Sequence, residues 1–109
     1  MIRLNYSDPQ ELIIKKSRFI SQLHDINNKD DIHLTLDFLW SQHPKASHIC
    51  YGYVLDKNHY GHDDNHEPKG TAGKPIVDVL LRQDVTHILC TVIRYYGGIM
   101  LGASGLTKA

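Results

Sequence analysis

A polar stretch rich in histidine and carboxylate residues is the first part of this sequence that could carry chemistry. The set comprises His59, His62, Asp63, Asp64, His66 and Glu67. Imidazole and carboxylate groups together can bind zinc and other divalent ions. Metal ligands, however, normally sit on stiff elements with supporting hydrogen bonds, and a polar loop offers little of either. We therefore expect no metal and no cofactor, and the three histidines are the candidate ligands if a metal does bind.

A histidine and a cysteine at alternate positions of a predicted strand suggest nucleophilic catalysis. His48 and Cys50 point to the same face, with their Cβ atoms about 7 Å apart. That separation is too long for a direct hydrogen bond between a nucleophile and its base. The catalytic residues stay unassigned, with Glu67 and His48 as the acid–base candidates, and the sequence favours a protein that is not an enzyme.

Two glycine-rich turns, over 70–73 and 102–105, each precede a predicted helix. Free amides and the helix dipole at the N-terminus of a helix favour an anion, and several lysine and arginine residues lie near these turns in the sequence. Glycines are also what tight turns alone require, and neither turn matches a P-loop. The predicted anion- or nucleic-acid-binding residues, with the tyrosines as stacking platforms for bases, are Arg94, Lys69, Lys74, Lys108, Gly70, Thr71, Gly73, Gly97, Gly98, Gly102, Gly105, Tyr95 and Tyr96.

The charge of the chain is balanced overall but unevenly distributed. Residues 1–68 carry seven Lys/Arg and ten Asp/Glu, a net −3, and residues 69–109 carry five and two, a net +3. A polyanion would therefore be held by a local patch and not by the overall field. The two cysteines lie in apolar, strand-like runs, which suits free thiols in a reducing compartment. No leader and no membrane-length apolar run is visible, so we expect a cytoplasmic protein with no membrane contact.

The elements that must position these residues follow from apolar periodicity and turn signals. Strands are predicted over 12–14, 18–23, 48–55 and 87–95, and helices over 31–43 and from Pro75 to about residue 83. Small residues on one face of the third strand would let a helix approach closely. The polar stretch 56–70 is predicted to be a surface loop.

Four motifs, in order along the chain, resemble the signatures of the IMPACT N-terminal domain family. They are residues 16–20 (KSRFI), 46–53 (ASHICYGY), 67–73 (EPKGTAG) and 94–102 (RYYGGIMLG). The resemblance implies an α+β fold like domain 2 of ribosomal protein S5, a mixed β-sheet with helices packed on one face. It also implies one domain over residues 1–109, in a fragment that lacks the family's C-terminal ferredoxin-like domain.

The function implied by the resemblance is a translation-linked regulatory or binding module. Such a module would bind RNA or a ribosome-associated partner through the basic, glycine-rich groove. The alternative is an enzyme acting on a small phosphorylated or peptide substrate in the same groove. A third option is a domain that interacts with another protein, and the sequence leaves the oligomeric state open.

Overall fold

The computed structural model describes residues 2–3, 7–14, 16–65, 70 and 72–96. Seven strands and two helices follow one another in this part of the chain. The elements are β1 (Ile2–Arg3), β2 (Gln10–Ile14), β3 (Ser17–Asp25), α1 (Lys29–Gln42), β4 (His48–Asp56), β5 (His59–Asp63), α2 (Gly73–Arg82), β6 (Val85–Thr86) and β7 (Ile88–Tyr95).

Five of the strands form one antiparallel sheet in the order β2-β3-β7-β4-β5. The short strands β1 and β6 pair in parallel beside it. Strand β7 lies in the middle, and Ile88, Leu89 and Ile93 are each at most 2% exposed. A near-continuous apolar strand is expected where both faces of a sheet are covered, so the predicted central strand is confirmed.

Helix α1 covers one face of the sheet. The Asn28 side chain caps its first turn by accepting a hydrogen bond from the amide of Asp31 at 3.0 Å. The apolar side of the helix then packs on β3, β4 and β7, as the spacing of its apolar residues predicts. One buried cluster on this face consists of Ile20, Leu39, Ile49 and Ile93, and a second consists of Ile26, Ile32 and Leu89.

Helix α2 lies on the opposite face, very close to β4. A Cβ on Gly52 would stand 2.7 Å from the amide nitrogen of Val77 and 2.9 Å from a methyl group of Ile76. The glycine is therefore what allows the helix backbone to rest on the strand, as the small residues on this face predict. The buried cluster on this face consists of Val54, Val77, Leu80, Val85 and Ile88.

The predicted α+β class is confirmed, and the structure refines three details. The five-stranded sheet is antiparallel, and among the described residues parallel pairing occurs between β1 and β6. The helices pack on opposite faces and not on one, because β4 turns Ile49 towards α1 and Gly52, three residues further on, towards α2. The predicted loop over 56–70 contains the edge strand β5.

No helix in the described ranges combines the length and the apolar character needed to cross a membrane.

Candidate functional site

Three predicted site residues meet at the end of the sheet where β7 ends. Arg94 of β7 lies between its register partners, Phe19 of β3 and His48 of β4. Its guanidinium carbon lies 5.3 Å from the centroid of the Phe19 ring and 4.3 Å from that of Tyr96. The rings of His48 and Tyr96 are nearly perpendicular, with their centroids 5.7 Å apart. We call Phe19, His48, Arg94 and Tyr96 the Arg94 cluster.

Backbone hydrogen bonds fix the position of this cluster. The amide of Ser47 donates to the carbonyl of Arg94 at 2.8 Å, and the amide of Tyr96 donates to the Ser47 hydroxyl at 3.1 Å. These bonds tie the chain just before β4 to the chain just after β7. The His48 Nδ1 lies 2.6 Å from the carbonyl oxygen of Asn65, and because a carbonyl can only accept, this nitrogen carries the proton. The imidazole is thereby held in one orientation.

The first glycine-rich turn is held by a carboxylate of the chain itself. Asp64 accepts hydrogen bonds from the amides of Gly70 at 2.8 Å, Ala72 at 3.2 Å and Gly73 at 2.6 Å. These bonds, that from Gly70 foremost, hold the pKa of the Asp64 carboxyl below its usual value. The amides at which the sequence predicts an external anion are thus already hydrogen-bonded to an internal one.

The glycines of this turn have structural reasons of their own. Gly70 has φ of +78°, a conformation that side chains rarely adopt, and a Cβ on Gly73 would stand 2.7 Å from the carbonyl oxygen of Asp63. Both positions therefore require glycine for the turn to close around Asp64. This observation favours the tight-turn alternative at this place.

The turn and the Arg94 cluster are neighbours. Asp64 is followed by Asn65, whose side-chain oxygen accepts from the amide of Ile49 at 2.9 Å and whose carbonyl holds His48. His48 in turn contacts Tyr96. The structure therefore brings His48, Arg94 and Tyr96 together, with Gly70 and Gly73 adjoining them through Asp64 and Asn65.

Tyr95 points to the opposite face of the sheet. Its hydroxyl lies 2.6 Å from Nδ1 of His43, and the guanidinium carbon of Arg18 lies 5.2 Å from the centroid of its ring. Arg18 is also paired with Glu11. Burial, joined by the charge of Arg18, lowers the pKa of His43. Tyr95 thus links the end of α1 to the sheet and lies apart from Tyr96.

The predicted lysines do not join the cluster in the described part of the chain. Lys74 forms an ion pair with Asp78 at 2.9 Å on the exposed side of α2 and lines a cavity of about 530 Å³ with Tyr60 and His62. The remaining predicted site residues lie outside the described residues. They are Glu67, Lys69, Thr71, Gly97, Gly98, Gly102, Gly105 and Lys108.

The structure places His59 and His62 of the polar stretch in different surroundings. His59 hydrogen-bonds the carboxylate of Asp56 at 2.8 Å, His62 faces α2, and His66 lies outside the described residues. Within the described ranges, no three histidine, cysteine, aspartate or glutamate side chains gather where they could hold a metal ion.

Neither Cys50 nor Cys90 is in a disulfide bond. The Cys50 sulfur lies 3.2 Å from the carbonyl oxygen of Asp64, so its thiol supports the same turn. Burial raises the pKa of Cys90 to about 11, which makes its thiol a poor nucleophile. Cys90 also lines an apolar groove of about 490 Å³ beside α2. Val79 lines the same groove and is 46% exposed, although the apolar periodicity of α2 predicts that its side chain is buried.

Comparison with known proteins places these motifs in context. The family model of the Impact N-terminal domain matches residues 15–109. The chain is 41% identical over 100 residues to the IMPACT family member YigZ of Escherichia coli, a match that covers 88% of this chain and 49% of the relative. It is 38% identical over 101 residues to the IMPACT family member YvyE of Bacillus subtilis, covering 91% and 46%. The chain thus spans about half the length of the curated relatives it matches.

Two solved structures share the fold. One is the crystal structure of a hypothetical protein, with a TM-score of 0.82 and 38% identity, covering 99% of this chain and 54% of the other. The second is a two-domain translational regulator, Yih1, with a TM-score of 0.59 and 21% identity, covering 86% and 38%.

Proposed function

The chain belongs to the Impact N-terminal domain family, and we propose that it is a regulatory binding module of translation that contacts RNA through the Arg94 cluster. The fold shared with a translational regulator supports the link to translation. The link to RNA is supported by one observation, the packing of the Arg94 guanidinium against the rings of Phe19 and Tyr96. Aromatic and arginine side chains are the groups on which proteins commonly hold the bases and phosphates of RNA.

The charge of the chain sets the strength of the expected interaction. The net charge is zero, so the overall field gives a polyanion no attraction and a few local contacts must hold it. Affinity for RNA should then fall only about 3- to 20-fold between roughly 50 and 200 mM salt, the range for one to three neutralised phosphates on a single strand. A ribosome-associated factor that presents phosphate groups would be bound by the same contacts.

Fluorescence anisotropy with a labelled RNA at these two salt concentrations tests the proposal. Arg94→Ala should weaken binding about tenfold, since it removes the positive charge of the cluster and the support of both rings. Arg82→Ala is the matched control, because Arg82 is an exposed arginine at the far end of α2 from the turn. The proposal fails if no binding is measurable at the lower salt concentration, or if the two variants bind alike.

The alternative is an enzyme acting on a small phosphorylated or peptide substrate. It is favoured by His48, whose imidazole is held in one orientation by the hydrogen bond from Nδ1 to the carbonyl of Asn65. A thermal-shift screen with nucleotides, sugar phosphates and short peptides separates the two functions. A bound substrate at about 100 times its Kd would stabilise the fold by about 2.7 kcal/mol. We expect no such stabilisation from a small molecule.

A further inference from the structure

We infer that the chain forms a two-fold symmetric dimer in which the β2 strands of two copies pair antiparallel along their outer edges. The two five-stranded sheets then become one continuous sheet. The inference does not depend on the proposed function, because it uses the outer edge of β2 and no residue of the Arg94 cluster.

The two edge strands of the sheet differ in character. Strand β2 pairs with β3 on its inner side, and no strand in the described part of the chain pairs with its outer side. Its three consecutive apolar residues are all exposed, Leu12 to 59%, Ile13 to 59% and Ile14 to 48%. Strand β5, at the other edge, is mostly polar, and polar or charged side chains are a common protection of an edge against pairing. The edge at β2 is therefore the one suited to joining another strand.

The occupant of this edge has to be a β-strand. In an antiparallel pair the amides and carbonyls of a strand point alternately to its two sides, so part of the backbone of β2 points away from β3. Charge gives this edge little protection, because Glu11, the charged residue of β2, is paired with Arg18 of the same chain. A strand that pairs here bonds the outward backbone groups and covers the apolar side chains at the same time.

A second copy of β2 is complementary to the first. In an antiparallel pair centred on Ile13, this residue lies opposite its own counterpart, and Leu12 lies opposite Ile14. Apolar side chains then meet apolar ones on both faces of the sheet. The two Glu11 residues lie four positions out of register, about 13 Å apart along the strands, so they do not oppose each other. The net charge of zero adds no overall repulsion between the copies.

Exposed apolar residues of α1 extend this surface. Leu34 and Phe38 are 67% and 61% exposed, and they line a cavity of about 300 Å³ with Gln22 and His24 of β3. Because β3 is the neighbour of β2, these side chains lie on the side of α1 that is nearer to the edge. A two-fold axis perpendicular to the sheet places both α1 helices on the same face, with this side of each helix turned towards the other.

The area available corresponds to a weak but specific dimer. All five residues of β2 are exposed, and at roughly 100 Å² each they offer about 500 Å² per copy. A pair would therefore bury about 1,000 Å², the lower limit for a specific interface. We expect a Kd of about 10–100 μM, since association must first offset the lost translational and rotational freedom. A two-fold pair uses the β2 edge of both copies, so the assembly closes at the dimer.

Sedimentation equilibrium of the intact chain from about 1 to 300 μM, a range that brackets this Kd, tests the inference. We expect the average mass to rise from the 12.4 kDa of one chain towards twice that value. Ile13→Lys should raise the Kd at least about tenfold, because two like charges would lie directly opposite each other, and Ile13→Glu should do the same. Tyr60→Lys, at a residue that is 49% exposed on β5, is the matched control and should dimerise like the wild type.

An equimolar mixture of Ile13→Lys and Ile13→Glu tests the register. Opposite charges then face each other at the centre of the pair, so the mixture should dimerise although neither variant does alone. Restored dimerisation also shows that both variants fold. If the mixture stays monomeric while both variants unfold at the wild-type temperature, the pairing centred on Ile13 is overturned.

Three further results would overturn the inference. One is a wild-type chain that stays monomeric over the whole concentration range. Another is a dimer that Ile13→Lys and Tyr60→Lys leave equally intact, because a different surface would then form it. The third is a mass that keeps rising beyond two chains, because the assembly would then be open-ended. None of these results bears on RNA binding, which anisotropy measures separately.

Discussion

The amide nitrogen of Val77 lies 2.7 Å from the position that a Cβ on Gly52 would occupy. Neither atom can move easily, because the amide nitrogen belongs to the backbone of α2 and the added Cβ would be bonded to the backbone of β4. Gly52→Ala should therefore push the helix off the sheet and lower the free energy of unfolding by about 1–3 kcal/mol, the usual cost of overpacking. Urea unfolding followed by circular dichroism measures this loss.

Gly61→Ala is the control for this prediction. A Cβ at position 61 would stand 2.9 Å from the Tyr53 side chain, whose ring can turn aside, whereas backbone cannot. The loss should stay below about 1 kcal/mol. Equal losses in the two variants would show that the close approach of α2 to β4 is not what requires glycine at position 52.

The carboxylate of Asp64 should matter more for stability than an ordinary surface aspartate. Asn at this position offers a single acceptor oxygen to the three amides of the turn, so Asp64→Asn should lower the midpoint of thermal unfolding at neutral pH. Asp37→Asn, on the exposed side of α1, should leave the midpoint unchanged.

The pH dependence of the Asp64 effect has a definite sign. Because the folded pKa is lower than the ordinary 3.8, the charged carboxylate stabilises the fold above that pH, and this stabilisation is lost as the pH falls through the lowered value. The difference between wild type and Asp64→Asn should shrink in acid. A difference that grows in acid would contradict the assigned hydrogen bonds.

His24 makes the fold sensitive to mild acid. Its Nε2 lies 2.8 Å from the hydroxyl of Thr91, and burial lowers its pKa from 6.5 to about 4. The neutral ring therefore contributes fully above pH 6.5, and its contribution is lost as the pH falls from 6.5 to about 4. We expect a loss of about 2 kcal/mol over this range, less than the full linkage value because part of the ring still reaches solvent.

Unfolding in urea at several pH values measures the His24 effect. His24→Gln keeps a hydrogen-bonding partner for Thr91 without titrating, so its stability should vary less with pH. His33→Gln, on the exposed side of α1, should follow the wild type. The lowered pKa of His43 acts in the same direction and accounts for pH dependence that persists in His24→Gln. Identical curves of stability against pH for His24→Gln and wild type would show that His24 does not cause the pH dependence.

The two adjacent tyrosines should separate stability from binding. Tyr95→Phe removes the hydroxyl bonded to His43 and should cost about 1 kcal/mol of stability without changing RNA affinity, because Tyr95 faces away from the Arg94 cluster. Tyr60→Phe, at an exposed hydroxyl, should cost nothing measurable. A loss of RNA affinity in Tyr95→Phe would place the binding surface on the other face of the sheet.

The parts of the fold that periodicity predicted are those with a buried apolar side. Helix α1 and strands β3, β4 and β7 each carry such a pattern, and the structure has them within a few residues of the predicted bounds. Strand β5, His59–Asp63, was missed because its five residues are nearly all polar. Backbone hydrogen bonds to β4 hold this edge strand, and no side-chain pattern reports them.

The residues of the candidate site also differ in whether the sequence could predict them. Arg94, Tyr96 and His48 could be named in advance because their side chains have the chemistry that binding requires. Phe19 could not be named, since its place beside Arg94 depends on the pairing of β3 with β7, strands far apart in the sequence. Asp64 had a usable signal, a carboxylate six residues before a glycine-rich turn, but the neighbouring histidines suggested a metal ligand instead.

The central position of β7 has a consequence for how the chain folds. Strand β7 pairs with β3 and β4, which precede it by roughly 70 and 40 residues, so these contacts have a high sequence separation. During synthesis β3 and β4 leave the ribosome before β7. The edges of β3 and β4 that pair with β7 therefore stay unpaired until β7 has been made. Proteins of such high contact order fold slowly and are exposed to aggregation meanwhile. Substitutions that weaken β7 should therefore reduce soluble yield more than their equilibrium cost implies.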